Sequence, residues 1–419
     1  MIKWQEQSLS FSRREDVASM GTLMGVTAPA GFVASSIAGG IKGDGRLDMA
    51  LIANEGGQAV PCAATFTANK AAAAPVQVST VHLRETNGYV SAVLLTSGNA
   101  NAATGAKGIS DAEELCSLVA RRIGNNYASD DVASHDVLIC QTGLIGIPFP
   151  MDAVRDRVDS LVDGLGNSRE HGELAAKAIM TTDKAQKEVY VDGGRYSIGG
   201  MAKGAAMLAP NMATMLAVLC TDAGCDPGGL QDVLRAAVDD TFNRISVDGC
   251  TSTNDTVVLL ANGRAGSVSP DTLYPSVREA CMSLAMQMAD DAEGSTKTAL
   301  ISVEGASSDS DAARAARKVA ESQLVQCSLY GEDPYWGRVT SELGSSGAAF
   351  DIDRLSISYG DILVCRDGVA VDHDHSALER YMHNRSIEIK CNLGLGDGKY
   401  QIITTDLSYG YIDENRTTS

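Results

Sequence analysis

Long apolar runs are missing from this 419-residue sequence. The most apolar stretch, from Met212 to Cys220, has about half of the ~18 residues that a membrane-spanning helix needs. The N-terminal segment has neither the apolar core of a secretory signal nor the acid-free pattern of a transit peptide. We therefore expect a cytoplasmic protein that is not embedded in a membrane.

Paired cysteines and clustered histidines are also missing. The ten cysteines are scattered without a CxxC pair, which predicts reduced thiols in the core. Four of the six histidines are isolated and the other two flank Asp374 in an acidic stretch, so we expect no metal. No Walker loop, GxSxG or dinucleotide fingerprint supports phosphoryl transfer, serine hydrolysis or dinucleotide binding.

Positive charge is scarce, because 34 lysines and arginines face 53 aspartates and glutamates, giving a net charge of −19. A polyanion would be repelled, which argues against nucleic acid or an anionic membrane as partner. The hydrophobic share of 44% and the charged share of 21% are typical of a globular protein. The length predicts roughly two or three folding units.

Short β-rich runs alternate with amphipathic helices, which predicts an α/β or α+β fold. The predicted helices are 111–122, 151–165, 227–242, 274–291 and 311–322. The predicted strands are 91–96, 137–141, 188–191, 195–198, 214–221, 255–261, 299–303 and 401–405. Gly193 and Gly194 predict a hairpin turn, and 304–312 predicts a surface loop with helix N-caps at a subdomain boundary.

Two segments have features of a catalytic site. In KGAAMLAPNMATMLAVLCTD (203–222), a Gly/Ala-rich loop leads into Thr214 at the start of an apolar strand, where a nucleophilic hydroxyl would be held rigidly. Threonine is also common in strands for structural reasons alone. TSGNANAATG (96–105) offers backbone N–H and amide groups of the kind that form an oxyanion hole, although such loops are more often only turns.

Further polar, glycine-containing patches are NRISVDGCTSTNDT (243–256), AEGSTK (292–297), DPYWGR (333–338) and LGDGKYQIITTDLSYGYIDEN (395–415). Together with GGMAKGAAMLAPNMATML and TSGNANAATG, these patches resemble the ornithine/glutamate N-acetyltransferase family, in its order, from about residue 20 to the end. The resemblance implies an α-β-β-α layered fold around mixed sheets. It also implies a smaller C-terminal α/β subdomain from about residue 300.

The resemblance further implies self-cleavage between Ala213 and Thr214. Residues 1–213 would form an α subunit and residues 214–419 a β subunit, associated as an α2β2 heterotetramer. The freed Thr214 would be the nucleophile, and its own α-amine, with an ordinary pKa near ~7.7 to 8, would serve as its base. Thr104 and Gly105 match the oxyanion hole of the family.

The substrate-binding residues are implied in the same way. Lys203 matches the cation that binds a carboxylate, and Glu293 matches the carboxylate that faces the side-chain amine of ornithine. Thr181, Thr214 and Asn415 complete the set. The implied reaction transfers acetyl from N-acetylornithine to glutamate in arginine biosynthesis without a cofactor, and the resemblance leaves open whether acetyl-CoA is a co-substrate.

Departures from the family pattern leave alternatives. TTDKAQK (181–187) replaces TTD-T-x-P-K, Tyr335 stands where Asn is common, and the tail after Asn415 differs. Arg416 in that tail would bring positive charge to the amine site if the tail folds inward. A paralogue with a shifted amino-acid substrate is one alternative. A Thr-nucleophile amidase or aminopeptidase is another, and an uncleaved binding protein is a third.

Overall fold

Three sheets with covering helices make up the part of the chain that the computed structural model describes, residues 25–127, 132–207 and 215–417. The strands are β1 Phe32–Ile37, β2 Met49–Asn54, β3 Val60–Phe66, β4 Tyr89–Val90, β5 Ala92–Asn99, β6 Val137–Leu144, β7 Lys187–Asp192, β8 Ser197–Lys203, β9 Leu216–Thr221, β10 Ile245–Ser246, β11 Thr256–Ala261, β12 Thr298–Ala306, β13 Ser356–Tyr359, β14 Ile362–Arg366, β15 Val369–Ala370, β16 Ser386–Asn392 and β17 Gly398–Thr405. The α-helices are α1 Ala74–Glu85, α2 Gly105–Tyr127, α3 Met151–Val154, α4 Val158–Asp163, α5 Arg169–Ala178, α6 Pro227–Asp239, α7 Pro270–Asp290, α8 Asp309–Ala320, α9 Gln323–Tyr330, α10 Trp336–Ser345, α11 His375–Met382 and α12 Tyr409–Glu414. Short 3-10 turns lie at Ser134–Asp136, Arg155–Arg157, Phe242–Arg244 and Ile352–Arg354.

Each sheet mixes parallel and antiparallel pairs. Sheet A has the order β1-β2-β5-β6, in which β5 and β6 are parallel. Sheet B has the order β4-β3-β11-β9-β8-β7, in which β11 and β9 are parallel. Sheet C has the order β10-β17-β12-β16-β13-β14-β15, in which β10 pairs β17 and β12 pairs β16 in parallel. The predicted α/β class with mixed sheets is confirmed.

Sheets A and B pack face to face over a shared apolar core. Because side chains alternate along a strand, Leu95 of β5 enters this core together with Val218 of β9, whereas Leu94 points to the opposite side of sheet A. Helices α2 and α4 cover that opposite side, and α6 and α7 cover the outer side of sheet B. The layer order is therefore α-β-β-α, as the resemblance implies.

Sheet C and helices α8 to α11 form the C-terminal α/β subdomain around a core of their own. Its main strands begin with β12 at Thr298, close to the predicted boundary. Leu300 and Ile403 point the other way and join the core beneath α7, which fastens the subdomain to sheet B. The predicted surface loop 304–312 is wrong, because β12 continues to Ala306 and α8 begins at Asp309. The predicted N-cap is confirmed, since Ser308 Oγ accepts the Asp311 N–H at 3.1 Å.

Other predictions from the sequence need smaller corrections. The predicted helix 151–165 is broken into α3, a 3-10 turn and α4. The hairpin at Gly193 is confirmed, since β7 and β8 pair antiparallel around it. Eight of the ten cysteines are buried, but Cys250 and Cys327 are exposed, so the expectation of core thiols is wrong for these two. Among the described residues, no helix has the length and apolar character needed to cross a membrane.

Candidate active site

Polar loops at one end of sheets A and B contact each other across the sheet interface. The buried Asn254, just before β11, donates through Nδ2 to the carbonyl oxygens of Ala100 and Gln141 at 2.6 and 2.8 Å. Lys203 at the end of β8 donates to Thr142 Oγ1 of β6 at 3.3 Å. The segments that carry Thr104 and Lys203 are thereby joined at this end of the two sheets.

The predicted cleavage site, Ala213 and Thr214, lies outside the described residues. Met215, the described residue that follows it, is buried and donates its backbone N–H to Asp255 Oδ1 at 2.9 Å. Burial raises the pKa of Asp255 well above its usual range. The positive charge of Lys203 opposes that rise. Met215, directly after Thr214, therefore contacts a buried carboxyl group that interacts with a buried amine.

The predicted oxyanion-hole residue Thr104 is held by a buried amide network. Its hydroxyl donates to Asn101 Oδ1 at 2.7 Å. Asn101 Nδ2 donates to Gly108 O and to Gln141 Oε1, both at 2.9 Å, which fixes the orientation of the amide. To donate to an oxyanion, the Thr104 hydroxyl must rotate away from Asn101.

Gly105 follows Thr104 as the first residue of α2 and has a φ of +63°, which favours glycine. Apart from its chain neighbours and the backbone of its own helix, no described atom lies within 4 Å of the position that a Cβ would take there. The first N–H groups of a helix have no partner inside it and lie at its positive end. The backbone at Gly105 thus has both the open space and the polarity that an anion-stabilising group needs, although its catalytic role stays a prediction.

Lys203 and Thr181, both predicted to bind substrate, are in direct contact. Lys203 Nζ donates to Thr181 Oγ1 at 2.7 Å, and the lysine is buried. Burial lowers the pKa of Lys203, and the nearby carboxylate of Asp183 opposes that shift. The hydroxyls of Thr181 and Thr142 orient the ammonium group without neutralising its charge, as a carboxylate-binding cation requires.

Glu293 and Asn415, the other predicted binding residues, also contact each other. Asn415 Nδ2 donates to Glu293 Oε2 at 2.7 Å, and Glu293 is buried. The backbone N–H of Glu293 donates to Ala205 O at 2.9 Å, two residues beyond Lys203. Gly294 has a φ of +63°, and a Cβ there would collide with the backbone of Tyr411 in α12. This close approach brings the C-terminal helix and Asn415 against Glu293.

The C-terminal tail does not bring Arg416 to this position. Its side chain is 71% exposed and contacts Asp413 Oδ1 at 3.3 Å, so the hypothesis of an inward-facing Arg416 is wrong. Glu414 contacts Lys184 Nζ at 3.1 Å. The end of the C-terminal helix, just before the tail, therefore touches the segment 181–187.

Several buried or half-buried carboxylates of the site were given no role in the sequence analysis. Asp183 and Asp255 are almost fully buried, and Asp248 accepts the Met207 N–H at 2.6 Å and the Tyr411 hydroxyl at 3.3 Å. Burial raises the pKa of Asp248. Asp183 lies in the patch 181–187, and Asp248 and Asp255 lie in the patch 243–256, but spacing alone does not show which carboxylates face the site.

The family of the chain follows from comparison with known proteins. The sequence model of the ArgJ family matches residues 33–417. The chain belongs to the ArgJ family. The predicted resemblance is confirmed, and the match spans all the described residues to which we assign a site role.

Individual members of the family are similar over nearly their whole length. The arginine biosynthesis bifunctional protein ArgJ of Mycolicibacterium paratuberculosis is 44% identical over 397 residues, 94% of this chain and 96% of the relative. The protein of the same name from Streptomyces avermitilis is 43% identical over 398 residues, 94% of this chain and 100% of the relative. A solved chain of the ornithine acetyltransferase from Mycobacterium tuberculosis, complexed with ornithine, is 41% identical with a TM-score of 0.42, covering 45% of this chain and 95% of that chain.

Proposed function

We propose that this protein is a glutamate N-acetyltransferase of arginine biosynthesis that transfers acetyl from N-acetylornithine to glutamate. Membership of the ArgJ family supports the reaction class. The pairing of opposite charges in the site supports the donor, because the buried cation Lys203 and the buried carboxylate Glu293 are joined through Ala205. N-acetylornithine carries a carboxylate at one end and an ammonium group at the other, which complements this arrangement.

The chemical steps that we propose use the chain's own groups. Thr214 Oγ attacks the acetyl carbonyl carbon while its α-amine takes the hydroxyl proton. The negative oxygen of the tetrahedral intermediate accepts hydrogen bonds from the Thr104 hydroxyl and the Gly105 N–H. The C–N bond then breaks, and ornithine leaves with the proton. The α-amine of glutamate, in its neutral form, attacks the resulting ester and gives a proton to the Thr214 α-amine. The Thr214 Oγ–C bond then breaks and Oγ takes that proton, which gives N-acetylglutamate and the free enzyme.

The covalent state of the protein is part of the proposal. Cleavage after Ala213 supplies the α-amine that serves as base, so residues 1–213 and 214–419 are the α and β subunits. We propose an α2β2 assembly that requires no cofactor. Acetyl-CoA as a second donor is a separate activity, which the same assay measures when it replaces N-acetylornithine.

The decisive experiment mixes the purified protein with N-acetylornithine and glutamate and follows ornithine and N-acetylglutamate by mass spectrometry. We expect both products in equal amounts. Release of free acetate without N-acetylglutamate would instead identify an amidase. A preference for a neutral N-acetyl amino acid over N-acetylornithine would identify a paralogue with a shifted substrate.

A further inference from the structure

Four buried or nearly buried charged groups form a chain that includes Lys203, one of the predicted substrate-binding residues. Lys187 Nζ donates to Asp183 Oδ1 at 2.7 Å and to Asp291 Oδ2 at 2.6 Å. The side chains of Lys187, Asp183 and Asp291 are 2%, 0% and 14% exposed. Lys203, the fourth group, interacts electrostatically with both Asp183 and Lys187. The group alternates in sign, which limits the penalty of burying each charge.

Asp183 contacts the protein on both sides of the Lys203 and Thr181 pair. Its Oδ2 accepts the backbone N–H of Thr181 at 3.0 Å. Its Oδ1 accepts the backbone N–H of Gly204, the residue after Lys203, at 2.7 Å. One carboxylate therefore connects the loop before β7 to the end of β8, the two segments that supply the substrate-binding hydroxyl and ammonium group.

The other end of the chain of charges leads to Glu293. Asp291 Oδ2 accepts the Lys184 N–H at 3.0 Å as well as Lys187 Nζ. Glu293 lies two residues after Asp291, and its own N–H is bonded to Ala205 O. The charges thus form a second connection, apart from the Ala205 bond, between the Lys203 and Glu293 ends of the site.

Stability alone does not account for such an arrangement, because buried ion pairs are often replaceable by apolar residues of similar volume without loss of stability. We propose that Asp183 is a positioning residue that holds Lys203 and Thr181 as one carboxylate-binding unit and, through Lys187 and Asp291, fixes that unit relative to Glu293. This inference rests on the proposed function, since it assigns Lys203 and Glu293 to the two ends of the substrate. It adds Asp183 and Lys187 to the residues that determine substrate binding.

Asp183 and Lys187 have opposite effects on the pKa of Lys203, so the proposal predicts opposite results for variants of these two residues. The charged groups that interact electrostatically with Lys203 include Asp183, Lys187, Glu293, Asp255 and Lys42. Burial lowers the pKa of Lys203 most strongly, Asp183 raises it and Lys187 lowers it. Removing the negative charge of Asp183 must therefore lower the pKa of Lys203, and removing the positive charge of Lys187 must raise it.

The test compares Asp183→Asn and Lys187→Gln in the full-length protein. The donor is N-acetylglutamate, which has no side-chain amine to titrate, and the acceptor is isotope-labelled glutamate, so transfer is followed as label entering N-acetylglutamate. We expect the alkaline limb of the kcat/KM profile to move to lower pH in Asp183→Asn and to higher pH in Lys187→Gln. In Asp183→Asn, KM should rise about tenfold at pH 8 with a much smaller change in kcat. Asp351→Asn, which removes the exposed ion pair with Arg354, is the matched control and should leave both unchanged.

A second measurement reads Lys203 without catalysis. The titration of its Nζ, followed by NMR in protein with isotope-labelled lysine and assigned with Lys203→Met, should shift in the same opposite directions. A shared loss of active protein in both variants, with no movement of the Lys203 titration, would overturn the proposal and leave Asp183 a purely structural residue. If wild-type protein transfers no acetyl, the proposed function fails, whereas the titration still reports on the positioning of Lys203. If Asp183→Asn does not fold, the shift of the Lys203 titration in Lys187→Gln decides whether the proposal holds.

Discussion

The Asn415 side chain donates a 2.7 Å hydrogen bond to the Glu293 carboxylate, joining residues 122 positions apart. The amide belongs to the end of the C-terminal helix α12, and the carboxylate belongs to the turn after α7. Together they offer a ligand a carboxylate and an amide at the same point. A side-chain ammonium and a side-chain carboxylate, the two ends that ornithine and glutamate present, can each find a complementary group there.

Glu293→Gln should selectively weaken donors with a side-chain amine. The change keeps the shape and removes the charge, and a lost charge-assisted contact corresponds to roughly a 10- to 150-fold decrease in kcat/KM for N-acetylornithine. A neutral N-acetyl amino acid, measured in parallel, should lose far less. Equal losses for both donors would remove Glu293 from amine recognition.

Asn415→Asp should act on the acceptor instead. A second carboxylate beside Glu293 repels the γ-carboxylate of glutamate, so kcat/KM for glutamate should fall about threefold to tenfold. N-acetylornithine should be used at least as well as by the wild type, because its ammonium group gains negative charge nearby. The two half-reactions are separated by varying one substrate at a time. A larger loss for the donor than for the acceptor contradicts this assignment.

Thr104→Ala should lower kcat by roughly two orders of magnitude, the scale of one lost oxyanion donor. The free energy of unfolding should fall by only about 1 kcal/mol, because the hydrogen bond to Asn101 is lost. Thr104→Ser keeps the hydroxyl and is the control that should retain most of the activity. Chemical unfolding in parallel distinguishes the roles, since a collapse of stability would make Thr104 structural.

Self-cleavage should give two fragments when the protein is expressed in a heterologous host. Intact-mass measurement and N-terminal sequencing should identify residues 1–213 and a fragment beginning with Thr214. Thr214→Ala should stay full length and inactive, whereas Thr214→Ser keeps a hydroxyl and should still be cleaved, more slowly. A full-length wild-type protein that transfers acetyl would defeat this mechanism.

Glu188→Gln should stabilise the protein above pH 6 without touching the active site. Burial raises the pKa of Glu188 to about 6, above the value of 4.5 for an unperturbed glutamate. An acid whose pKa is raised in the folded state binds more protons there than in the unfolded state, so the free energy of unfolding falls as pH rises from 4.5 to 6. Above that window the free energy of unfolding is lower by about 2 kcal/mol. Chemical unfolding at pH 4.5 and 7.5 should show a gain only at the higher pH, and the exposed Glu279→Gln should show none.

Part of the strand framework was predictable from the sequence because the signal is local: β5 to β9, β11, β12 and β17 were predicted, whereas β1 to β4, β10 and β13 to β16 were not. Buried runs such as β9 and β11 are apolar except for one threonine each, as expected for strands in the middle of a two-sheet sandwich. Helix α1 was missed because Val76, Val78 and Thr80 are β-branched and alternate like strand residues, whereas packing on β6 makes the segment helical. The break within 151–165 follows a stretch rich in Val and Asp, which are weak helix formers.

The site was only partly predictable, since its contacts depend on distant pairings. The family motifs named Lys203, Thr181, Glu293 and Asn415, and the structure brings each into contact with another member of the set. The role of Lys187 could not be read in the same way, because its partner Asp291 is 104 residues away. A lysine at the start of a strand looks exposed until the tertiary fold closes around it.

Sheet B has a consequence for a protein cut after Ala213. Its two middle strands, β11 and β9, come from the second fragment, whereas β4 and β3 on one side and β8 and β7 on the other come from the first. The described pairings of this sheet join residues 256–260 and 216–221 of the second fragment to residues 62–66 and 198–203 of the first. Each fragment alone would leave strands of sheet B with unpaired edges where they now pair with strands of the other fragment. If the cut occurs, the two fragments would therefore behave as one folding unit with four chain ends, and we expect that separating them would unfold the protein.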